Sequence, residues 1–196
     1  MKSISGTIAN ALWNQGIIQK DDIDACQYGL AIFLSSVIEI ASILIISVFV
    51  GNFSETVLFF TSFIPLRIYA GGYHADTRIR CYLISLAVYG IFTLVMNVFP
   101  KNIYAILIVL CTICSLIVVL VKAPVIHKNK SVSEFEVKHY RKFSIMVCSI
   151  ETAVILLLTA VFPDSPYVVS LAIGQAAVVI SMIMAVIKEK LGVKKY

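Results

Sequence analysis

Five apolar runs separated by short polar intervals constrain this chain more than any other feature. They cover residues 30–50, 82–99, 103–121, 143–162 and 167–187, each close to the ~20 residues that cross a bilayer as a helix. Backbone groups in lipid must be satisfied within the segment, so runs of this length fold as helices. Composition agrees. Hydrophobic residues make up 60% of the chain and the mean hydropathy is +0.95, which excludes an ordinary soluble domain. The expected fold is an all-α integral membrane protein, a single polytopic domain over residues 1–196.

A sixth run, 56–66, has only eleven residues and is too short to span alone. Extended through Ala70, with Arg67 snorkelling to the surface, it becomes a marginal span. Otherwise it is a re-entrant half-helix. About six transmembrane helices are therefore expected, the second short or re-entrant. Ahead of the first span, residues 1–28 are polar to amphipathic. Ile4, Ile8 and Leu12 recur at helical spacing beside Trp13, as in an interfacial helix; a frayed terminus is the competing reading. No apolar core follows Lys2 closely, unlike a cleavable signal peptide. Asp21, Asp22 and Asp24 suit the start of a helix.

The net charge of +5 reads as topology, because the basic residues sit between the apolar runs. No nucleic-acid partner is implied. With the N-terminus in the cytoplasm, fifteen of the sixteen Lys and Arg residues lie on that side and Lys101 lies outside. If 56–66 re-enters, the N-terminus moves outside and the split is thirteen to three. Either arrangement puts residues 67–80 and 122–142 in the cytoplasm.

Residues 63–85 hold the longest polar interruption in the first half, with Arg67, Gly71, Gly72, His74, Asp76, Arg78, Arg80 and Cys81. A polar segment pinned between membrane segments is a candidate site. The thiolate is the reactive form of cysteine. His74 is the candidate base for the Cys81 proton, and Arg78 and Arg80 would favour the anion; an unrelated His and Cys that happen to lie seven apart is the competing reading. On one straight helix, residues seven apart would share a face but stand about 10 Å apart, too far for a hydrogen bond. The helix carrying Cys81 is therefore predicted to begin after His74. The bend falls at Gly71-Gly72, where positive φ carries no steric penalty.

The stretch RIYAGGYHADTRIRC resembles the signature of the accessory gene regulator B (AgrB) family: Arg67, then Gly71-Gly72-Tyr73-His74-Ala75, then Cys81 seven residues after the histidine. The preceding FIPL at 63–66 and the Ala-Pro-Val from Ala123, followed by a basic loop, also look familial. The resemblance implies a cysteine endopeptidase of a Gram-positive cell membrane, its site facing the cytoplasm. Its substrate would be a short AgrD-like pro-peptide of quorum sensing with an acidic C-terminal tail. Cys81 and His74 would be catalytic, forming a thioester that an internal Cys or Ser of the substrate then attacks to close a thiolactone or lactone. Neither metal nor cofactor is called for. Expected partners are that pro-peptide and membrane lipids, with a homodimer also open.

Other residues carry weaker signals. Asp76 lies two residues from His74, an awkward separation for orienting its ring, so a dyad is favoured over a triad. Arg67 either binds a substrate carboxylate or carbonyl, or snorkels and fixes helix depth. Arg67, Gly71, Gly72 and Asp76 are thus expected to support the site. Glu39, inside the first span, is a functional carboxyl or a hydrogen-bonded structural one. The basic loop 122–142 reads as a topology determinant that also meets anionic headgroups; the sharper reading is a docking surface for the acidic peptide segment that the resemblance implies. Lys128 and Lys130, with Glu39, are its candidate substrate-binding side chains; His127 and His139 read as solvated loop residues. Cys111 and Cys114 form a C-x-x-C inside an apolar span and read as small packing residues. The odd count of five cysteines points to reduced thiols. A small-solute transporter or channel lined by Glu39 and the Gly-Gly loop is the alternative, and a non-catalytic scaffold is a third reading.

Overall fold

The structure, a computed structural model, describes residues 2–73, 77–125 and 133–190. Seven α-helices run through the described residues: α1 Lys2–Asn14, α2 Ile23–Val50, α3 Phe53–Ala70, α4 Arg78–Val98, α5 Tyr104–Lys122, α6 Glu134–Val161 and α7 Pro166–Lys190. Single 3-10 turns precede α2 and α5. Five helical segments are long and apolar enough to cross a membrane: residues 20–50, 78–98, 101–122, 134–161 and 166–190. The chain is a multi-pass membrane protein. The sixth expected span, α3, is an uninterrupted helix that carries Pro65 within it. Its 18 residues measure about 27 Å at the helical rise, just under a ~30 Å hydrocarbon core.

The packing divides the chain into two compact units, residues 1–49 and 50–196. In the first, α1 forms over the stretch expected to be amphipathic. Ile4, Ile8 and Trp13 stay exposed on it, while Ser5 and Ala9 are fully buried. The amphipathic pattern therefore leaves its apolar residues outward, as an interfacial helix requires.

In the second unit α7 is the central helix. It packs chiefly against α3 and α5, and more lightly against α6 and α4. Small residues allow this. A Cβ at Gly174 would meet the Phe59 carbonyl, so the α3 and α7 backbones approach more closely than any side chain permits. Two apolar layers fill the interior. One joins Tyr104, Ile108, Ile155, Val168, Val169 and Ala172. The other joins Leu66, Ala70, Val119, Ala123, Cys148, Val178, Val179 and Met182, and lies where α3 ends. Polar contacts lie between helices as well. Gln175 Nε2 donates to the Cys148 carbonyl at 3.2 Å and to the Thr152 hydroxyl at 3.1 Å. Ser62 donates to Glu151 Oε2 at 3.1 Å. Asn52 ties the start of α3 to α4 by accepting from the Tyr89 hydroxyl at 2.8 Å and donating to Thr93 at 3.3 Å.

The basic segment 122–142 is not one loop. Lys122 closes α5, and Lys138, His139, Arg141 and Lys142 lie on α6. The reason is local. Ser133 caps the helix by accepting from the Glu136 amide, while the Glu136 carboxylate accepts from the Ser133 amide at 2.8 Å, a reciprocal capping box. His139 is accordingly a helical residue, 4.4 Å from the Phe143 ring centre.

Candidate functional site

The helix α3 stops at Ala70 because the next two residues leave helical space. Gly71 has φ +74° and Gly72 φ +137°, a conformation L side chains rarely adopt. The turn is then held by the helix it leaves. Arg67, in the last turn of α3, donates to the Gly71 carbonyl and, at 2.6 Å, to the Tyr73 carbonyl. The planar guanidinium fork is suited to gripping two acceptors at once. Of the two roles expected for Arg67, the geometry adds a third: it clamps its own chain.

Two other segments complete the cradle. Val125, just after α5, forms an isolated parallel bridge with Gly71, and its amide donates to the Ala70 carbonyl at 2.9 Å. A Cβ at Gly71 would collide with the Val125 carbonyl. From α7, the hydroxyl and the backbone carbonyl of Ser181 both accept from the Tyr73 amide, each at 3.0 Å. Gly72 is buried, and a Cβ there would run into the Arg67 guanidinium and the Ser181 hydroxyl. Lys188, two turns beyond Ser181, places its ammonium 5.0 Å from the Tyr73 ring centre, within cation–π range.

On the far side of the turn, α4 starts at Arg78. Its N-cap is Thr77, whose hydroxyl accepts from the Arg80 amide at 3.3 Å, and the Cys81 amide donates to the Thr77 carbonyl at 3.1 Å. Cys81 therefore sits, half-buried, in the first turn of α4. The helix N-terminus carries partial positive charge, a setting shared by many reactive thiolates. The helix that carries Cys81 begins at Arg78, after His74, as the spacing predicts.

Arg67, Gly71 and Gly72 are thus brought together, joined by Tyr73 and Ser181. His74, Asp76, Lys128 and Lys130 lie outside the described residues, as does His127. Glu39 is half-buried on α2, within the first unit. Cys111 is half-buried and Cys114 exposed on α5. Sequence reasoning passed over Ser181, for which there is no local signal. It also passed over Glu151 and Gln175, which were legible as polar residues inside apolar runs. Beside the cradle, Ile68 and Tyr69 of α3 and Phe135, Glu136, His139 and Tyr140 of α6 line a shallow groove, with Tyr69 stacked on Phe143 at 5.2 Å.

Residues 5–187 match the accessory gene regulator B family. The chain belongs to the AgrB family. Among curated relatives, the putative AgrB-like protein 1 of Clostridium perfringens is 21% identical over 74% of this chain and 75% of its own length. The putative AgrB-like protein of Listeria welshimeri is 36% identical over 42% of each chain. Protein FsrB of Enterococcus faecalis is 40% identical over 32% of this chain, a match that spans only 26% of FsrB. No solved structure matches.

Proposed function

We propose that this AgrB-family chain is a cysteine endopeptidase of a bacterial plasma membrane. It removes the C-terminal tail of a short AgrD-like quorum-sensing pro-peptide and promotes closure of the remainder into a thiolactone or lactone. One observation carries the reading: the chain turns sharply after α3, and the thiol of the signature lies in the first turn of the next helix. A Cys–His pair seven residues apart needs that break, since a continuous helix would hold them about 10 Å apart.

In this reading His74 takes the proton of Cys81, and the thiolate sulfur attacks the scissile carbonyl. The C–N bond breaks, the proton passes from His74 to the departing amine, and the acidic tail leaves. The N-terminal part stays on Cys81 as a thioester. An internal Cys or Ser of the peptide then attacks the thioester carbonyl, and the Cys81 thiolate departs. Attack within one bound peptide has a high effective concentration, and a site at the membrane surface that excludes water disfavours hydrolysis. Arg67, Gly71 and Gly72 shape the segment that carries His74, with Asp76 following it. Lys128 and Lys130 of the basic segment are proposed to receive the acidic tail on the cytoplasmic side.

The deciding experiment uses purified protein in lipid with a candidate pro-peptide. Tail release should require both Cys81 and His74, and alanine at either should leave membrane insertion unchanged. Solute flux with no cleavage would favour a transporter instead.

A further inference from the structure

The Tyr73 amide is the point where the cradle is most elaborately held. It is the only backbone group of the turn, among the described residues, that donates to two acceptors of one partner, the Ser181 hydroxyl and the Ser181 carbonyl, each at 3.0 Å. The opposite face of the same residue is held too, because the Tyr73 carbonyl accepts from Arg67 at 2.6 Å. Lys188 covers its ring at 5.0 Å. Both peptide planes of Tyr73 are therefore fixed.

Ser181 comes from α7, the helix around which the second unit packs. Its neighbour Met182 is fully buried in the apolar layer below the turn. The anchor is thus rigid, and it belongs to a segment 108 residues away in sequence. Size matters at this position as much as hydrogen bonding, because Gly72 already lies so close to the Ser181 hydroxyl that a Cβ at 72 would collide with it.

We propose that Ser181 is a positioning residue for the Cys81 reaction: it docks the Gly71-Gly72-Tyr73 turn on α7 and so sets the direction in which the chain enters the segment preceding Cys81. The inference rests on the peptidase reading, in which the residue after Tyr73 is the base. In this proposal Ser181 acts through the Tyr73 amide that it holds. A small residue is required. Alanine keeps the carbonyl acceptor and the space, whereas a branched side chain pushes the turn off α7.

The test is the pH dependence of Cys81 alkylation by iodoacetamide in the full-length protein in lipid nanodiscs, with the adduct assigned to Cys81 by peptide mass spectrometry. Wild type, Ser181→Ala, Ser181→Leu and His74→Ala are compared, with thermal unfolding as a check on the bundle. A base-assisted thiol reacts well below the pH at which a free thiol ionises. Ser181→Leu should lose that low-pH reactivity and follow His74→Ala, reacting roughly tenfold more slowly at pH 7. Ser181→Ala should stay within about twofold of wild type, on the size argument. If the leucine variant does not accumulate, Ser181→Val serves, with a shift in the same direction. A folded Ser181→Leu or Ser181→Val with the wild-type profile overturns the proposal. Identical profiles for wild type and His74→Ala would instead remove the dyad itself, and the inference with it.

Discussion

The Arg67 guanidinium reaches forward six residues to donate to the Tyr73 carbonyl at 2.6 Å. A basic residue near a membrane surface is usually explained by charge and depth. Here its second bond, to the Gly71 carbonyl, makes it a two-pronged brace across a glycine turn. The distinction is testable, because lysine keeps the charge and the snorkelling stem but loses the fork. Arg67→Lys should insert normally and lose peptide cleavage by about tenfold or more, as expected when one charge-assisted bond of ~1.5–3 kcal/mol is lost. Near-normal turnover in Arg67→Lys would reduce the residue to a depth marker.

The close approach of α3 and α7 at Gly174 supports the same cradle from below. A Cβ at 174 would meet backbone of α3, the Phe59 carbonyl, which cannot rotate away. Gly174→Ala should therefore destabilise the bundle by about 1–3 kcal/mol, the usual range for overpacking. Gly90→Ala is the control, since the space around Gly90 is open among the described residues, and it should be neutral to slightly stabilising, as alanine favours a helix interior over glycine. Melting temperatures in one detergent compare the two, and equal values would contradict the packing argument.

Gln175 makes a similar point with polarity instead of size. Fully buried on α7, it donates to the Cys148 carbonyl, the Cys148 sulfur at 3.2 Å and the Thr152 hydroxyl. Interhelical hydrogen bonds in membranes are worth roughly 0.6 to 1.7 kcal/mol. Gln175→Met should cost about that much, and less in a Thr152→Val background because one partner is already gone. Additive losses in the double variant would mean that the Gln175–Thr152 contact carries no coupling energy.

The sequence made some of this architecture legible and hid the rest for physical reasons. Apolar runs located α2, α4, α5, α6 and α7, because hydrophobicity reports membrane depth. It does not report where helical hydrogen bonding stops, so α6 begins at Glu134, nine residues before its apolar run. The Ser133–Glu136 box was the available signal. The helix α3 looked short because Arg67 interrupts its hydropathy, yet the helix continues to Ala70 and Arg67 bonds to the turn it helps to make. The Gly71-Gly72 bend was legible from glycine alone. Ser181 was not, since a contact 108 residues away leaves no local pattern. Glu151 was as visible as Glu39, an acid inside an apolar run, and the structure gives it a hydrogen-bonding partner in Ser62.

Topology offers a direct check on the proposed side of the site. Residues 67–80 and 122–142 hold nine of the sixteen basic residues, and clusters of this kind stay cytoplasmic. Single cysteines at Thr77 and Lys130, in a background lacking the native cysteines, should resist an impermeant thiol reagent in intact cells and react after permeabilisation. Labelling of both in intact cells would place the site outside.

The covalent intermediate is the sharpest expectation of the proposed chemistry. If the Cys81 sulfur displaces the tail, the N-terminal portion of the peptide must stay joined to it as a thioester until a second nucleophile arrives. The released tail therefore appears before any cyclic product. Replacing the ring-closing Cys or Ser of the peptide removes that second nucleophile without touching the first bond to break. The acyl-enzyme should then accumulate, or hydrolyse slowly to a linear acid. Intact-protein mass spectrometry should find an adduct with the mass of the truncated peptide less one water, removable by hydroxylamine and absent in Cys81→Ala. Thiolates attack without a metal, so a chelator should leave the burst of tail release unchanged. Tail release with no adduct under rapid quench, together with loss of activity in the chelator, would assign the attack to a metal-activated water and leave Cys81 as a structural thiol at the head of α4.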